Sequence, residues 1–146
     1  MPTAAKLAAA ILFGALAWWV SALVKTRFPQ GTDLGRFAEW NAAIGAVVGW
    51  RVAGGRARTT WRNALAYGVT AAVETAAVAL ALYSLLRMLR QSTRMVYAGP
   101  VEAVADLARI MLENLRLVGT PEILGTLALG GVVAGLATEW VGRNYR

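Results

Sequence analysis

The sequence has 146 residues, of which 58% are hydrophobic and only 16% are charged. Soluble domains carry about 25% charged residues, and the mean hydropathy here is positive, at +0.50. This composition excludes a disordered chain and disfavours a soluble globule. It predicts a single all-α integral membrane domain over residues 1–146, because a helix satisfies its own backbone hydrogen bonds in lipid.

The chain contains no cysteine and no histidine. Their absence excludes thiolate nucleophiles, Cys-ligated zinc and iron–sulfur clusters, and it removes the usual proton shuttle and the commonest metal ligand. No phosphate-loop, Rossmann or nucleophile-elbow pattern is present. We therefore predict a protein that is not an enzyme and that has no catalytic residue, cofactor or metal site.

The net charge is +7, from 15 Lys and Arg against 8 Asp and Glu. In a soluble protein this excess would indicate a nucleic-acid partner. Here the basic residues lie mostly between apolar segments, where they can contact anionic lipid headgroups and set the topology. We therefore predict the lipid bilayer, and no nucleic acid, as the partner of these charges.

The first apolar segment, residues 7–24, is free of charge. Thr3 can cap a helix over about 4–24, which is long enough to cross roughly 30 Å of hydrocarbon. The alternative is a cleaved signal peptide with its cleavage site near Ser21. The length of the segment and the adjacent Trp18 and Trp19 disfavour that alternative.

The second segment is shorter. Phe28 to Thr32 predicts a turn, after which Thr32 or Asp33 can cap a helix over about 34–53. Its uncharged centre, residues 40–50, is too short to span a membrane by itself. A second transmembrane helix therefore requires its charged residues to lie at headgroup level. Those residues are Arg36, Glu39 and Arg51.

Three further helices complete the predicted architecture. Residues 63–86 are uncharged except for Glu74 and predict a third span. Residues 100–118 have apolar side chains at helical spacing, which predicts an amphipathic helix in the membrane surface or against the bundle. A capped helix over about 121–141 is the last span. The prediction is thus four transmembrane helices, with an amphipathic interfacial helix between the third and fourth.

All six tryptophans fall near predicted helix ends, where the indole ring prefers the membrane–water boundary. They are Trp18, Trp19, Trp40, Trp50, Trp61 and Trp140. The basic residues divide almost equally between the two sides, so the positive-inside rule does not decide the orientation. The dense basic cluster between the second and third helices favours cytoplasmic termini.

Glu74 lies near the middle of the third span, where a charge costs about 3 kcal/mol. It is therefore expected to be protonated, paired or facing a polar cavity. Thr70, Tyr67 and Asn63 share its helix face and complete a candidate intramembrane polar site. This site could be a proton or ion relay or a ligand site. The alternative is an interhelical hydrogen bond, for instance to Asn41.

The loop between the second and third helices contains four arginines beside Gly54-Gly55. They are Arg51, Arg56, Arg58 and Arg62. Guanidinium groups with flexible backbone donors could hold an oxyanion. Contact with lipid headgroups is the alternative, and we favour it.

Small residues line one side of three predicted spans and include two GxxxG patterns, Gly45 with Gly49 and Gly131 with Gly135. Such patterns allow close approach of helix backbones in lipid. They favour packing within one bundle. The alternative is a homo-oligomer or docking on another membrane protein through these faces.

Several stretches together resemble the TrgA family of small bacterial membrane proteins associated with tellurite resistance. They are residues 2–7, Asn41 to Gly45, Gly49 to Arg51, Gly130 to Val132, and Glu139-Trp140. The resemblance implies a multi-pass protein of the Gram-negative inner membrane that contributes to tolerance of tellurite, a stress response. It implies no active residue.

Without cysteine and histidine, thiol reduction of tellurite or chelation of a metal by this chain is disfavoured. We therefore expect a non-redox contribution to tolerance. The alternative function is that of a structural or accessory subunit docked on a larger membrane complex.

Overall fold

The computed structural model describes residues 3–30, 35–93 and 98–145. This part of the chain is entirely helical apart from short connections. The helices are α1 (Ala4–Lys25), α2 (Phe37–Arg51), α3 (Trp61–Ser92), α4 (Pro100–Val118) and α5 (Pro121–Asn144), with a single 3-10 turn at Gly54–Arg56 between α2 and α3. The predicted cap at Thr32 or Asp33 lies outside the described residues.

Threonine caps start three of the five helices. The side chains of Thr3, Thr60 and Thr120 each accept a hydrogen bond from the backbone N–H three residues later. These bonds satisfy one of the four N–H groups that a helix start leaves without an internal partner. The predicted starts of α1 and α5 are confirmed, whereas the Thr60 cap begins α3 two residues before the predicted boundary.

Three helices in the described part of the chain are long and apolar enough to cross a membrane, namely α1, α3 and α5. The prediction of a second span over 34–53, and with it the total of four spans, is corrected. Helix α2 has 15 residues, or about 22 Å at 1.5 Å per residue, against roughly 30 Å of hydrocarbon. Gly35, with a φ of +48°, precedes this helix, and the chain turns into the 3-10 helix just after Val52.

Glycine contacts hold α2 antiparallel against α1. A Cβ on Gly45 would lie 2.4 Å from the carbonyl oxygen of Phe13, and one on Gly49 would lie 2.6 Å from that of Ala9. The predicted GxxxG face of α2 therefore packs inside the chain. It is not a free surface for docking another protein.

The second glycine contact joins α3 to α5. A Cβ on Gly135 would lie 2.5 Å from the carbonyl oxygen of Ala64, and Gly131 meets Gly68 one turn further along. Both GxxxG patterns thus serve packing within the bundle. The docking alternative proposed for these faces would need surfaces that the fold already covers.

Helix α4 packs antiparallel on the C-terminal half of α3. Asn114 Nδ2 donates to Ser84 Oγ at 3.1 Å, and Glu113 lies 3.9 Å from Arg87. Helix α4 therefore packs against the bundle, which is one of its two predicted placements. The apolar stripe of α4 points away from α3 and is exposed. It includes Val101, Val104, Leu112 and Leu115.

Candidate functional site

Glu74 lies on the outer surface of the bundle and is exposed. No residue within 3–30, 35–93 or 98–145 forms an ion pair with it, and it makes no hydrogen bond there. Eleven uncharged residues precede it in its apolar segment and twelve follow. The structure therefore puts a carboxyl group on the outward face, near the middle, of a helix long enough to span a membrane.

The rest of the predicted polar stripe lies along the same outward side of α3. Thr70 is exposed and donates to a backbone carbonyl of its own helix. Asn63 is exposed and donates to Thr59 Oγ1 at 3.1 Å. Tyr67 is half-buried under the guanidinium of Arg56, 5.2 Å from the ring centre. Thr70 and Asn63 thus form local hydrogen bonds, and neither these bonds nor the Arg56 contact of Tyr67 reaches the carboxyl group of Glu74.

Asn41 belongs to a different site from Glu74. It is buried, and its Nδ2 donates to Ser21 Oγ at 2.9 Å. Ser21 in turn donates to a carbonyl of its own helix. The hydrogen bond that we considered between Asn41 and Glu74 is not formed, because the two side chains lie on the inner and outer sides of the bundle.

The four loop arginines have unequal roles. Arg51, Arg56 and Arg62 are exposed. Arg58 adopts a left-handed backbone with a φ of +69°, and its Nε donates to the carbonyl oxygen of Gly142 at 2.8 Å. Of the predicted anion ligands, Arg58 is thus hydrogen-bonded to the end of α5, and Arg56 lies over the ring of Tyr67.

A carboxylate that the sequence did not single out fixes this loop. The Glu139 side chain is 1% exposed. Its Oε2 accepts from the backbone N–H groups of Arg58 and Thr59, at 2.7 and 3.1 Å. Its Oε1 accepts from Arg143 Nε at 2.8 Å. Two backbone donors of the arginine loop, although not those of Gly54-Gly55, are therefore bound to the chain's own carboxylate.

Arg143 extends this cluster. Its Nη2 donates to the carbonyl oxygen of Thr59 at 2.6 Å, and its guanidinium lies 4.7 Å from the ring centre of Trp61. The signal in the sequence was an acid four residues before an arginine in an apolar helix. That spacing is equally common on solvated helix faces, so sequence alone could not assign Glu139 to the interior.

A small polar layer lies inside the opposite half of the bundle. A cavity of about 70 Å³ is lined by residues of all five helices. Its polar members are Ser21, Asn41, Thr75, Tyr83 and Asn114. Asn114 is 1% exposed, and its Oδ1 has no hydrogen-bond partner in the described part of the chain. These groups connect helices and form no charged relay.

Metal-ligating side chains do not gather anywhere in the described ranges, where no group of three or more Asp or Glu residues could hold an ion. No protein-family model, curated protein or solved structure matches this chain. The geometry above is therefore the main basis for a function.

Proposed function

We propose that this chain is an accessory subunit of a membrane complex and binds a transmembrane helix of another protein through the Glu74 face. This face is the outward side of α3 formed by Thr70, Glu74, Ala77 and Ala81, all exposed. The carrying observation is a carboxyl group near the middle of a potential span that has no partner among residues 3–30, 35–93 and 98–145. A donor from a second protein would remove the cost of leaving it in lipid.

The shape of the Glu74 face supports a helix as the occupant. Ala77 and Ala81 flank the carboxyl group with small side chains, which allow a second helix to approach closely. In a bilayer, helices associate by such packing and by hydrogen bonds, because lipid tails are as apolar as leucine. The Glu74 face thus offers the carboxyl group as a polar contact, beside small side chains that allow close packing.

The charge of the face favours a different protein over a second copy of this chain. Residues 7–24, 40–50 and 123–138, which form the central parts of α1, α2 and α5, carry no charge. A second copy could therefore offer its own carboxyl group but no cation at this depth, and two carboxylates repel each other. We propose a partner helix with a lysine, arginine or amide side chain at mid-depth.

We further propose that this association contributes to tolerance of tellurium oxyanions in a Gram-negative inner membrane. Support comes from the resemblance to the TrgA family and from the three apolar helices. A non-redox role agrees with the absence of cysteine and histidine. Direct oxyanion binding by the arginine loop is less well supported, because Glu139 takes the Arg58 and Thr59 backbone donors.

The test is site-specific cross-linking in cells at native expression. A photoreactive residue at Ala81 should capture one partner, and the capture should disappear when Glu74→Leu is added. The matched control is the same residue at Leu129, which is 71% exposed on α5 and should capture no protein. Capture that persists unchanged in the Glu74→Leu variant, or capture of only a second copy of this chain, would contradict the proposal.

The physiological part is tested by growth on tellurite. Glu74→Leu at a normal protein level should lower tolerance, whereas Arg51→Gln, Arg56→Gln and Arg62→Gln together should not. Loss of tolerance only in the arginine variant would instead support direct handling of the oxyanion by the loop.

A further inference from the structure

We propose that a groove between α2 and α3 binds an anionic phospholipid from the bilayer. The groove has a volume of about 630 Å³, within the usual range of about 300–1,000 Å³ for ligand pockets. It lies on the outer side of the bundle, at the end where α2 begins and α3 ends. One end of the groove is basic, and the rest is apolar apart from Asn41 and Tyr83.

The basic end consists of Arg36, Arg87 and Arg90. Among the described residues that line the groove, there is no aspartate or glutamate. The nearest counter-charge shown is Glu113 of α4, 3.9 Å from Arg87. Three guanidinium groups at one opening match the negative charge and the acceptor oxygens of a phosphate group.

The start of α2 adds to this positive end. Arg36 is the N-cap residue, and its side chain makes no capping hydrogen bond. The first N–H groups of a helix point outward along its axis and attract anions. Gly35 and Phe37 also line the groove. The start of α2 and the three arginines therefore lie at the same opening.

The apolar walls continue from this opening along both helices. Ile44 and Val47 of α2 face Val78, Leu82 and Leu86 of α3. Four of these five side chains are exposed, Ile44 being half-buried, although they lie inside a concave surface. They offer an alkyl chain continuous contact and no hydrogen-bonding group.

Aromatic rings form the floor near the basic end. The Tyr83 ring packs edge-on against Phe37, with ring centres 5.4 Å apart, and against Phe28 at 5.9 Å. Trp40 stands at the rim and is 69% exposed, as expected for an indole at the membrane boundary. The Phe37–Tyr83 contact joins α2 to α3 at the basic end of the groove.

The length of the groove matches one leaflet. From Arg36 to Val47 is eleven residues, about 16 Å along a helix, and half of a hydrocarbon core of roughly 30 Å is about 15 Å. The phosphate would therefore lie at the arginines, with one acyl chain reaching the bilayer midplane. A partner helix would fill the apolar part but would supply no anion to Arg36 and Arg90, which form no ion pair among the described residues.

This site adjoins the Glu74 face on one side only. Val78 turns away from Glu74 by about 40° around α3 at 100° per residue, whereas Leu82 and Leu86 turn away by about 80° and 120°. Variants of the arginines at the basic end can therefore be tested with the Glu74 face intact.

The test is lipid retention by the purified full-length chain, measured by native mass spectrometry with phosphatidylglycerol and with phosphatidylcholine of the same acyl chains. We expect preferential retention of phosphatidylglycerol. The triple variant Arg36→Gln, Arg87→Gln, Arg90→Gln should retain it at least about tenfold less, since each arginine near an anionic lipid contributes roughly fivefold in affinity. Circular dichroism checks that the variant keeps its helix content.

The matched control is Arg51→Gln, Arg56→Gln, Arg62→Gln, which removes the same charge from exposed positions at the other end of the bundle. It should retain phosphatidylglycerol as the parent does. Equal losses in the two triple variants would reduce the effect to net charge and overturn the proposal.

A second pair of variants tests the apolar part. Val78→Trp fills the groove and should lower phosphatidylglycerol retention with all three arginines present. Val73→Trp, at a position 61% exposed outside the groove, should not. Equal retention of the two lipids, full competition by soluble glycerol phosphate, or a disulfide-linked dimer through Leu82→Cys would each overturn the assignment.

Discussion

Gly68 of α3 and Gly131 of α5 touch through their backbones. A Cβ on Gly68 would lie 2.2 Å from the carbonyl oxygen of Gly131, and a Cβ on Gly131 would lie 2.9 Å from that of Gly68. Neither backbone can move away without separating the two long helices, because Gly135 repeats the contact one turn later, 2.5 Å from the Ala64 carbonyl oxygen by the same measure. This crossing fixes α5 against α3 and thereby positions Glu139 near the loop before α3.

We expect Gly68→Ala to destabilise the protein by about 1–3 kcal/mol, the usual cost of overpacking a close contact. The measurement is the free energy of unfolding in a detergent titration. Gly125→Ala is the control, because nothing lies within 4 Å of a Cβ there. It should be neutral or slightly stabilising, since alanine favours a helix over glycine. Equal destabilisation of both variants would refute the close crossing.

Glu139→Ala should release the loop before α3. The change leaves the N–H groups of Arg58 and Thr59 without an acceptor and costs about 2 kcal/mol in the free energy of unfolding. Amide hydrogen exchange over residues 56–60 should become faster. Glu139→Gln should have a smaller effect, because its amide oxygen can still accept from the loop.

The control for Glu139 is Glu122→Ala. Glu122 also pairs with an arginine, Arg27, but the two side chains are 56% and 42% exposed. Exposed ion pairs contribute little, in the range of about 0–1 kcal/mol. A loss at Glu122 as large as the loss at Glu139 would show that burial does not distinguish the two pairs.

Asn114→Ala should loosen α4 from α3. It removes the hydrogen bond to Ser84, the buried polar contact between these helices, and leaves a small void. We expect about 1–2 kcal/mol of destabilisation and faster amide exchange along α4, with α1 unchanged. Arg109→Ala, which loses only a surface pair with Glu113, should leave α4 protected. Uniform loosening of the whole chain would argue against a local effect.

Glu74→Leu should stabilise the isolated chain or facilitate its membrane insertion, although it should abolish partner capture. The change removes a carboxyl group from the outer surface of α3, where it has no bond within the described residues. Insertion scales place this gain at about 2–3 kcal/mol. The measurement is insertion of α3 in a translocon assay together with unfolding of the purified chain. Destabilisation would show that Glu74 is paired inside the fold.

Much of the local structure could be predicted because it depends on neighbouring residues. The threonine caps of α1 and α5 and the bounds of α4 follow from side chains within a few positions of the helix ends. The second span was wrong for a local reason too. Its apolar centre was short, and we expected residues at charged ends to extend the helix to a full span. Instead the helix begins after Gly35 and ends before Val52.

The site was harder to predict, since its residues meet from distant parts of the chain. Glu74 and Glu139 are both acids in the interior of apolar helices. The first was expected to be protonated, paired or facing a polar cavity, and it lies exposed. The second entered only through the family resemblance, and it lies buried with three donors. Helical spacing predicts which residues share a face of a helix. It does not predict whether that face points into the bundle or outward.

The sequence by itself determined that this is an all-helical chain with membrane-spanning character, because hydropathy, caps and glycine spacing act over one helix at a time. The tertiary structure alone decided which helix faces are buried in contacts within the bundle. It placed both GxxxG patterns in backbone contacts, turned the stripe of α4 and the carboxyl of Glu74 outward, and opened a groove at Arg36, Arg87 and Arg90. The physical reason is that in lipid an apolar helix face can turn either outward or inward, so close packing and a few hydrogen bonds choose among faces that hydrophobicity cannot distinguish.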